Sequence, residues 1–265
     1  MSVGSKKFAI IGKGFIYNLH AQAIAKIGGE IVDVADGSQG PDAWKETVKK
    51  TKADCIVILA PNNLHFEMAR FSAQCGKTVL CEKPLTIKSK DARVLAEYPN
   101  IFTICQLRYH SLAKKIKSEA EKDKNWQIEM DVSVHRDEDY WKSWKGTQEG
   151  SGGILFNLGI HYFDLLLYLF GEASEISTKF LTDKKGEGKI SGENYSCNWK
   201  ISAEEPKDSQ RRLFKINGVN YDFSSKENLH FYVYEDLLKG KGITPKEALA
   251  SIELVEKIYG NYKNN

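Results

Sequence analysis

The chain has 265 residues, with 38 basic and 35 acidic side chains giving a formal net charge of +3. Acids and bases are interspersed without a polybasic block, so composition favours no nucleic-acid or membrane partner and leaves room for a small anionic substrate. A chain this long buries most of its apolar surface, enough for two modest domains. The five cysteines (Cys55, Cys75, Cys81, Cys105, Cys197) form no C-x-x-C and sit mostly in apolar runs, as free thiols in a reducing compartment do. No uninterrupted apolar stretch reaches the ~18 residues of a membrane span, because Asn157, His161 and Asp164 break the run from Ile154 to Phe170. The first apolar run, Phe8 to Ile11, ends in Gly-Lys-Gly and lacks a signal-peptide plan, so the cytoplasm is the expected compartment.

Up to about Arg108, short apolar runs alternate with helical periodicity, the pattern of βαβ units and a parallel sheet. "KKFAIIGKG", "EIVDVADG", "DCIVILA", "TVLCEKP" and "IFTICQL" read as strands. "NLHAQAIAKIGG", "PDAWKETVKKTK", "LHFEMARFSAQCGK" and Ser89 to Tyr98 read as the helices between them. Beyond that point polar and apolar residues alternate, as in "WQIEMDVSVHR", "SEISTKFLT", "NYSCNWKIS" and "RRLFKINGVNYDF", which predicts an antiparallel sheet with one wet face. "GGILFNLGIHYFDLLLYLFG" is a long apolar helix bounded by glycines, and "TPKEALASIELVEKIYG" a capped C-terminal helix. The lysine- and glycine-rich run Thr182 to Glu193 is expected as a solvated hairpin tip. The fold class is therefore α/β: an N-terminal Rossmann domain with a doubly wound parallel sheet over residues 1–107, then an α+β domain with a mostly antiparallel open sheet over 108–265.

"IIGKGFIYNLH" follows a strand and opens a helix, so Gly12 and Gly14, with Phe15 and Ile16 in the same loop, sit where backbone amides meet a pyrophosphate. Tyr17 occupies the place of the third glycine of G-x-G-x-x-G. Asp36 ends the second strand, where a carboxylate bonds the adenosine ribose hydroxyls and repels a 2′-phosphate, favouring NAD over NADP. Pro61, Asn62 and His65, then Glu82 and Lys83 of "CEKP", then Gln106, lie at the carboxyl ends of further strands of the same sheet. Open parallel sheets bind ligands beyond those ends, so all are expected cofactor contacts.

At 100° per residue, Asn157, His161, Asp164 and Tyr168 share one face of the apolar helix. Buried polar groups need partners, and a histidine between an amide and a carboxylate has the makings of an oriented acid or base. No cluster has metal-ligand spacing, so no metal is expected.

Strand-G-x-G, Pro61-Asn62 with His65, Glu82-Lys83-Pro84 and "NLGIHYFD", in that order, resemble the Gfo/Idh/MocA family of NAD(P)-dependent sugar oxidoreductases. The resemblance covers nearly the whole chain. It implies that Lys83 and His161 flank the nicotinamide and the oxidised carbon, and that the open sheet packs against another subunit in a homo-oligomer, a dimer or tetramer. "QLRYH", "WKSWKG", "FNLGIHYFDLL" and "LHFYVYEDLLKGKG" are similar to the WlbA-type branch. That branch implies oxidation of the 3-hydroxyl of UDP-N-acetylglucosaminuronate on a route to surface-polysaccharide sugars. The chain departs from the family pattern in one place: only about fifteen residues separate Asp36 from the next strand, too few for a further strand and helix.

Hydride leaves an alcohol carbon readily only if the hydroxyl proton is taken as it goes. His161, with an ordinary pKa near ~6.5, is better poised for this than Lys83 near ~10.4. A positive nicotinamide and desolvation would both lower the lysine's pKa, so the two roles stay open at this point. A nucleotide-sugar substrate needs cations away from the reacting carbon. Arg108, Lys142 and Lys145 are the candidates, with Arg108 suited to a bidentate grip on a carboxylate, Trp141 and Trp144 lining the pocket, and Asn157 beside them. Arg211, Arg212 and His230 are read as surface strand residues, and His20, His110 and His135 carry no assigned role. Two alternatives remain on the sequence alone: a dehydrogenase of a free sugar or cyclitol, and a non-catalytic NAD(H)-binding regulator.

Overall fold

The computed structural model describes residues 6–120, 125–224 and 227–263. The chain forms two compact units, Met1–Gln106 with Glu227–Leu249, and Leu107–Lys226 with Ala250–Asn265.

The first unit runs β1 (Lys7–Ile11), α1 (Tyr17–Lys26), β2 (Glu30–Ala35), α2 (Ala43–Lys50), β3 (Cys55–Ile58), α3 (His65–Gln74), β4 (Thr78–Cys81), α4 (Ser89–Leu95) and β5 (Ile101–Thr103). Its five strands are all parallel in the order β2-β1-β3-β4-β5. Cys55, Ile56, Val57 and Ile58 are completely buried, as the continuous apolar run of a central parallel strand requires. A 3-10 turn and the short helix α2 link β2 to β3, and among the described residues no strand lies beyond β2, in keeping with the short spacing after Asp36. Strand order reverses between β1 and β3, which is the switch point where such sheets bind ligands. Gly12 closes β1 with φ +103°, and a Cβ there would meet the Leu59 carbonyl oxygen at 2.6 Å. Only glycine fits this crossing.

The second unit runs α5 (Ser111–Ala120), β6 (Trp126–Ser133), α6 (Glu138–Lys142), α7 (Gln148–Ser151), α8 (Ile160–Phe170), β7 (Ala173–Leu181), β8 (Lys185–Gly192), β9 (Tyr195–Ser202), β10 (Arg211–Ile216) and β11 (Val219–Asp222). The six-stranded sheet has the order β11-β10-β6-β9-β8-β7, antiparallel except for the β6–β9 pair. Helix α8 lays its apolar body on this sheet, with Phe163 edge-on to Trp199 at 5.5 Å. Residues Gln148–Phe170 form one helical stretch long and apolar enough to cross a bilayer by length and composition, contrary to the count made around its polar residues. Its most apolar window is 72% buried inside the fold, as a core helix is.

The run expected as a hairpin tip is instead β8, paired on both sides with β7 and β9. The glycines that suggested a loop make room for large neighbours: a Cβ on Gly188 would meet the Ser177 carbonyl at 2.2 Å and the Trp199 ring at 3.0 Å.

After β11 the chain forms α9 (His230–Leu238) and α10 (Pro245–Lys263). The segment Glu227–Leu249 belongs to the first unit, whereas a division into 1–107 and 108–265 puts it in the second. Tyr234 of α9 is fully buried, edge-on to Phe8 of β1 at 5.6 Å, which shows why. Helix α10 opens on a reciprocal cap between Thr244 and Glu247.

Candidate active-site residues

In the first unit the carboxyl ends of the strands carry the expected cofactor groups. Helix α1 has no side-chain cap at Ile16 and no acid in its first turn, so its leading N–H groups suit a phosphate. Gly14 has open space where a Cβ would lie, and Phe15 beside it is 86% exposed. Asp36 caps the turn Gly37–Gln39, and hydrogen bonds from Ser38 hold its carboxyl below the usual range. Pro61 precedes a short turn in which Asn62 is buried. The buried Oε1 of Gln106 has no hydrogen-bond partner among the described residues. An uncapped helix start, a glycine cradle, an acid at the end of β2 and an orphaned amide oxygen fit a dinucleotide such as NAD.

Two expected contacts are used otherwise. His65 is completely buried, its Nδ1 2.7 Å from the Pro84 carbonyl and its Nε2 2.9 Å from that of Ala60. Both ring nitrogens face main-chain carbonyls, and the one N–H of the neutral ring bonds one of them, so the ring packs between the end of β3 and the turn after β4 rather than toward a cofactor. Burial holds its pKa below the ordinary value. Glu82 turns into the protein, onto His20 and His230. Lys83, next to it, is half-buried, and the Lys83–Pro84 peptide is cis.

In the second unit the polar face of the apolar helix divides. Leu155–Gly159 is a π-helical turn, so the 100° spacing does not carry from Asn157 into α8. Asn157 donates through Nδ2 to the Tyr140 hydroxyl at 2.6 Å and to the Lys145 carbonyl at 3.3 Å. Asp164 accepts both Nε and Nη2 of Arg108, at 2.8 and 2.6 Å. The guanidinium also lies over Tyr168 at 5.1 Å. Arg108 therefore makes one bidentate grip inside the protein, on Asp164, through a single edge of its guanidinium. Between these two anchors, His161 is half-buried.

The "WKSWKG" loop is tightly wound: a Cβ on Gly146 would meet the Trp141 carbonyl at 2.5 Å. Trp141 and Trp144 are half-buried, with Lys184 over the first ring at 5.2 Å and Lys145 over the second at 5.9 Å. Lys142 points to solvent and pairs with Glu138. Lys145 is half-buried, and burial together with the charge of Arg136 lowers its pKa. Arg136, which the sequence reading passed over, stacks on Tyr140 at 5.2 Å. Arg212, expected as a surface residue, is half-buried, and its charge lies near Tyr162, whose pKa burial pushes up to about 12. Neither Arg136 nor Arg212 has a carboxylate ion-pair partner among the described residues. The only sequence signal for Arg136 was its place at the end of a strand. His135 and His110 serve the frame, His135 against the Glu205 carbonyl and His110 against Phe223.

Two family profiles match the chain: an oxidoreductase family with an NAD-binding Rossmann fold over residues 6–100, and the GFO/IDH/MocA C-terminal domain over 113–206. Glucose-6-phosphate 3-dehydrogenase of Bacillus subtilis is 27% identical over 190 residues, 62% of this chain and 54% of that protein. The chain spans about half the length of the first curated relatives it matches. A crystal structure of the WlbA (WbpB) dehydrogenase from Thermus thermophilus with NAD and alpha-ketoglutarate superposes with a TM-score of 0.87 at 27% identity, covering 93% of this chain and 92% of that one. The same enzyme with NAD and UDP-GlcNAcA gives 0.84 at 26% identity, over 94% and 92%.

Proposed function

This chain belongs to the GFO/IDH/MocA oxidoreductase family, and we propose that it is an NAD-dependent dehydrogenase of a nucleotide sugar. The substrate class we infer is UDP-N-acetylglucosaminuronate, oxidised at its 3-hydroxyl to the 3-keto sugar for surface-polysaccharide synthesis. The observation that carries this reading is the likeness, over nearly the full length of both chains, to a WlbA dehydrogenase complexed with NAD and UDP-GlcNAcA. NAD, when bound, supplies the acceptor for the hydride that leaves the carbinol carbon. His161 takes the hydroxyl proton, and the Lys83 ammonium hydrogen-bonds the oxygen as it becomes a carbonyl.

The anionic parts of such a substrate find support in the second unit. Arg136 and Arg212 lie near Tyr140 and Tyr162, and burial, with the charge of Arg136 second, already depresses Lys145. An anion there relieves that crowding. This set stands beside Arg108, one edge of whose guanidinium already meets Asp164. We take the protein to act in the cytoplasm as a homo-oligomer, which light scattering on purified protein checks.

The test follows NADH absorbance with UDP-N-acetylglucosaminuronate, its counterpart without the carboxylate, and free inositol or glucose 6-phosphate. Turnover should need the uronate and should fall about 100-fold or more in Lys83→Ala and His161→Ala. Equal turnover of a free sugar would favour the cyclitol-type reading, and unchanged rates in both variants would sink the assignment.

A further inference from the structure

Glu82 belongs by its motif with the cofactor contacts, yet both of its oxygens are spent inside the first unit. Oε1 meets His20 Nε2 at 3.1 Å and His230 Nε2 at 3.3 Å, and Oε2 accepts the main-chain N–H of Lys83 at 3.0 Å. His20 and Tyr234 are completely buried, His230 is 5% exposed and Glu82 8%. Three elements meet here: α1, the end of β4, and α9.

The hydrogens can be assigned from the outside of the cluster inward. Asn228 donates Nδ2 to the Leu19 carbonyl at 2.8 Å, which turns its Oδ1 toward His230. That oxygen receives the His230 main-chain N–H at 3.2 Å and faces Nδ1 at 3.0 Å. An amide oxygen only accepts, so Nδ1 of His230 carries a hydrogen. Nε2 of the same ring faces a carboxylate oxygen, so it donates as well. A ring that donates from both nitrogens is an imidazolium, and His230 is ion-paired to Glu82.

His20 is satisfied as a neutral ring, giving Nε2–H to Glu82 and accepting the Tyr234 hydroxyl at Nδ1, 2.8 Å away. The acidities agree in direction. Burial lowers the pKa of His20; burial opposes ionisation of Glu82, but the hydrogen bonds from His20 and His230 outweigh it and hold that carboxyl well below the usual range. The ligand-type atoms of His20, Glu82 and His230 lie within 4.8 Å of one another, and one added proton in that space satisfies every donor and acceptor without a metal.

We propose that Glu82 is a positioning residue for Lys83: a buried Glu82–His230 ion pair, braced by His20 and Tyr234, fixes the strand-end backbone from which the lysine is presented. The proposal rests on the assignment of Lys83 to the reaction. It makes α9, which reaches Glu82 from 148 residues further along the chain, part of the mounting of that lysine.

The test uses full-length protein labelled with 15N-histidine, with Glu82→Gln, His230→Gln, His230→Leu and Lys83→Ala beside it. Long-range 1H–15N spectra near neutral pH should show one doubly protonated ring, absent in both His230 variants and neutral in Glu82→Gln. Turnover should fall about 100-fold in Glu82→Gln and His230→Leu while NADH affinity, read by fluorescence titration, stays within about threefold. His230→Gln keeps an N–H for Glu82 without the charge and should lose less of the rate than His230→Leu, which carries the comparison if Glu82→Gln does not fold.

Two results would overturn the proposal: only neutral rings in the native protein, or a Glu82→Gln protein with unchanged kcat and NADH binding weakened more than about tenfold. The second would return Glu82 to the cofactor. Normal turnover in Lys83→Ala would overturn the reading of the lysine and the positioning role with it, leaving the ring spectra to decide the ion pair separately.

Discussion

The two units hold their candidate reactive groups with different chemistry. Beside Lys83, the buried acid Glu82 is held by two histidine rings, His20 and His230. Beside His161, the buried acid Asp164 is held by the guanidinium of Arg108, a charge that does not titrate. The first support contains a ring, His20, that burial keeps from taking up a proton, so it is open to acid, whereas the second rests on a fixed charge.

The largest effect should come from breaking the arginine-held pair. The side chains of Arg108 and Asp164 are 12% and 2% exposed, so Asp164→Ala leaves a buried guanidinium unpaired. Urea unfolding should show a loss of about 3–5 kcal/mol. Replacing both partners, Arg108→Met with Asp164→Leu, should recover most of that loss, because no charge is then stranded. If the double variant is as unstable as the single one, the pair is not the anchor described.

Acid should act first on the other unit. The folded-state pKa values of His20 and His65 are depressed below 6.5, chiefly by burial. Their neutral forms stabilise the fold fully above that value, and the contribution is lost as pH falls from 6.5 through the folded values. Glu82 has the same sign: its stabilisation is complete above 4.5 and is lost as pH falls from there through its lower folded value. Hydrogen-exchange protection, corrected for intrinsic rates, should therefore drop in β1, β4 and α9 between pH 7.5 and 5.5 before it drops in α8. Loss in α8 first, or in both together, would erase the contrast.

How much of this could be read from the sequence follows the same divide. The five strands of the first sheet were legible as apolar runs, the central ones most clearly because they are buried on both faces, as in Cys55 to Ile58. Strand β8 was not, because Gly186, Gly188 and Gly192 look like a loop until Trp199 and Tyr195 are seen filling the space above them. Lys83 and His161 stood out by motif, but what holds them did not. Glu82 meets partners 62 and 148 residues away, and Arg108 meets Asp164 56 residues away. Pairings at such separations are tertiary facts, so the grip of Arg108 on Asp164 could not be read from the chain. The π-helical turn at Leu155–Gly159 was equally invisible, since it alters the phase of the helix without changing its composition.

The smallest effect sharpens the contrast within the second unit itself. Lys142 and Lys145 come from one loop and were equal candidates for an anionic substrate. The Lys142–Glu138 pair has side chains 71% and 87% exposed, at helical i,i+4 spacing. Water and salt screen it, so Lys142→Ala should change stability by under about 0.5 kcal/mol and leave the KM for the nucleotide sugar unchanged. Lys145 is half-buried, with its charge crowded by Arg136, and its main-chain carbonyl takes the Asn157 amide. Lys145→Ala leaves that carbonyl in place and removes the side chain with its charge, so it should raise KM about tenfold with little change in kcat, the signature of lost uniform binding. Equal KM values in the two variants would mean that the cation cluster around Tyr140 does not meet the substrate.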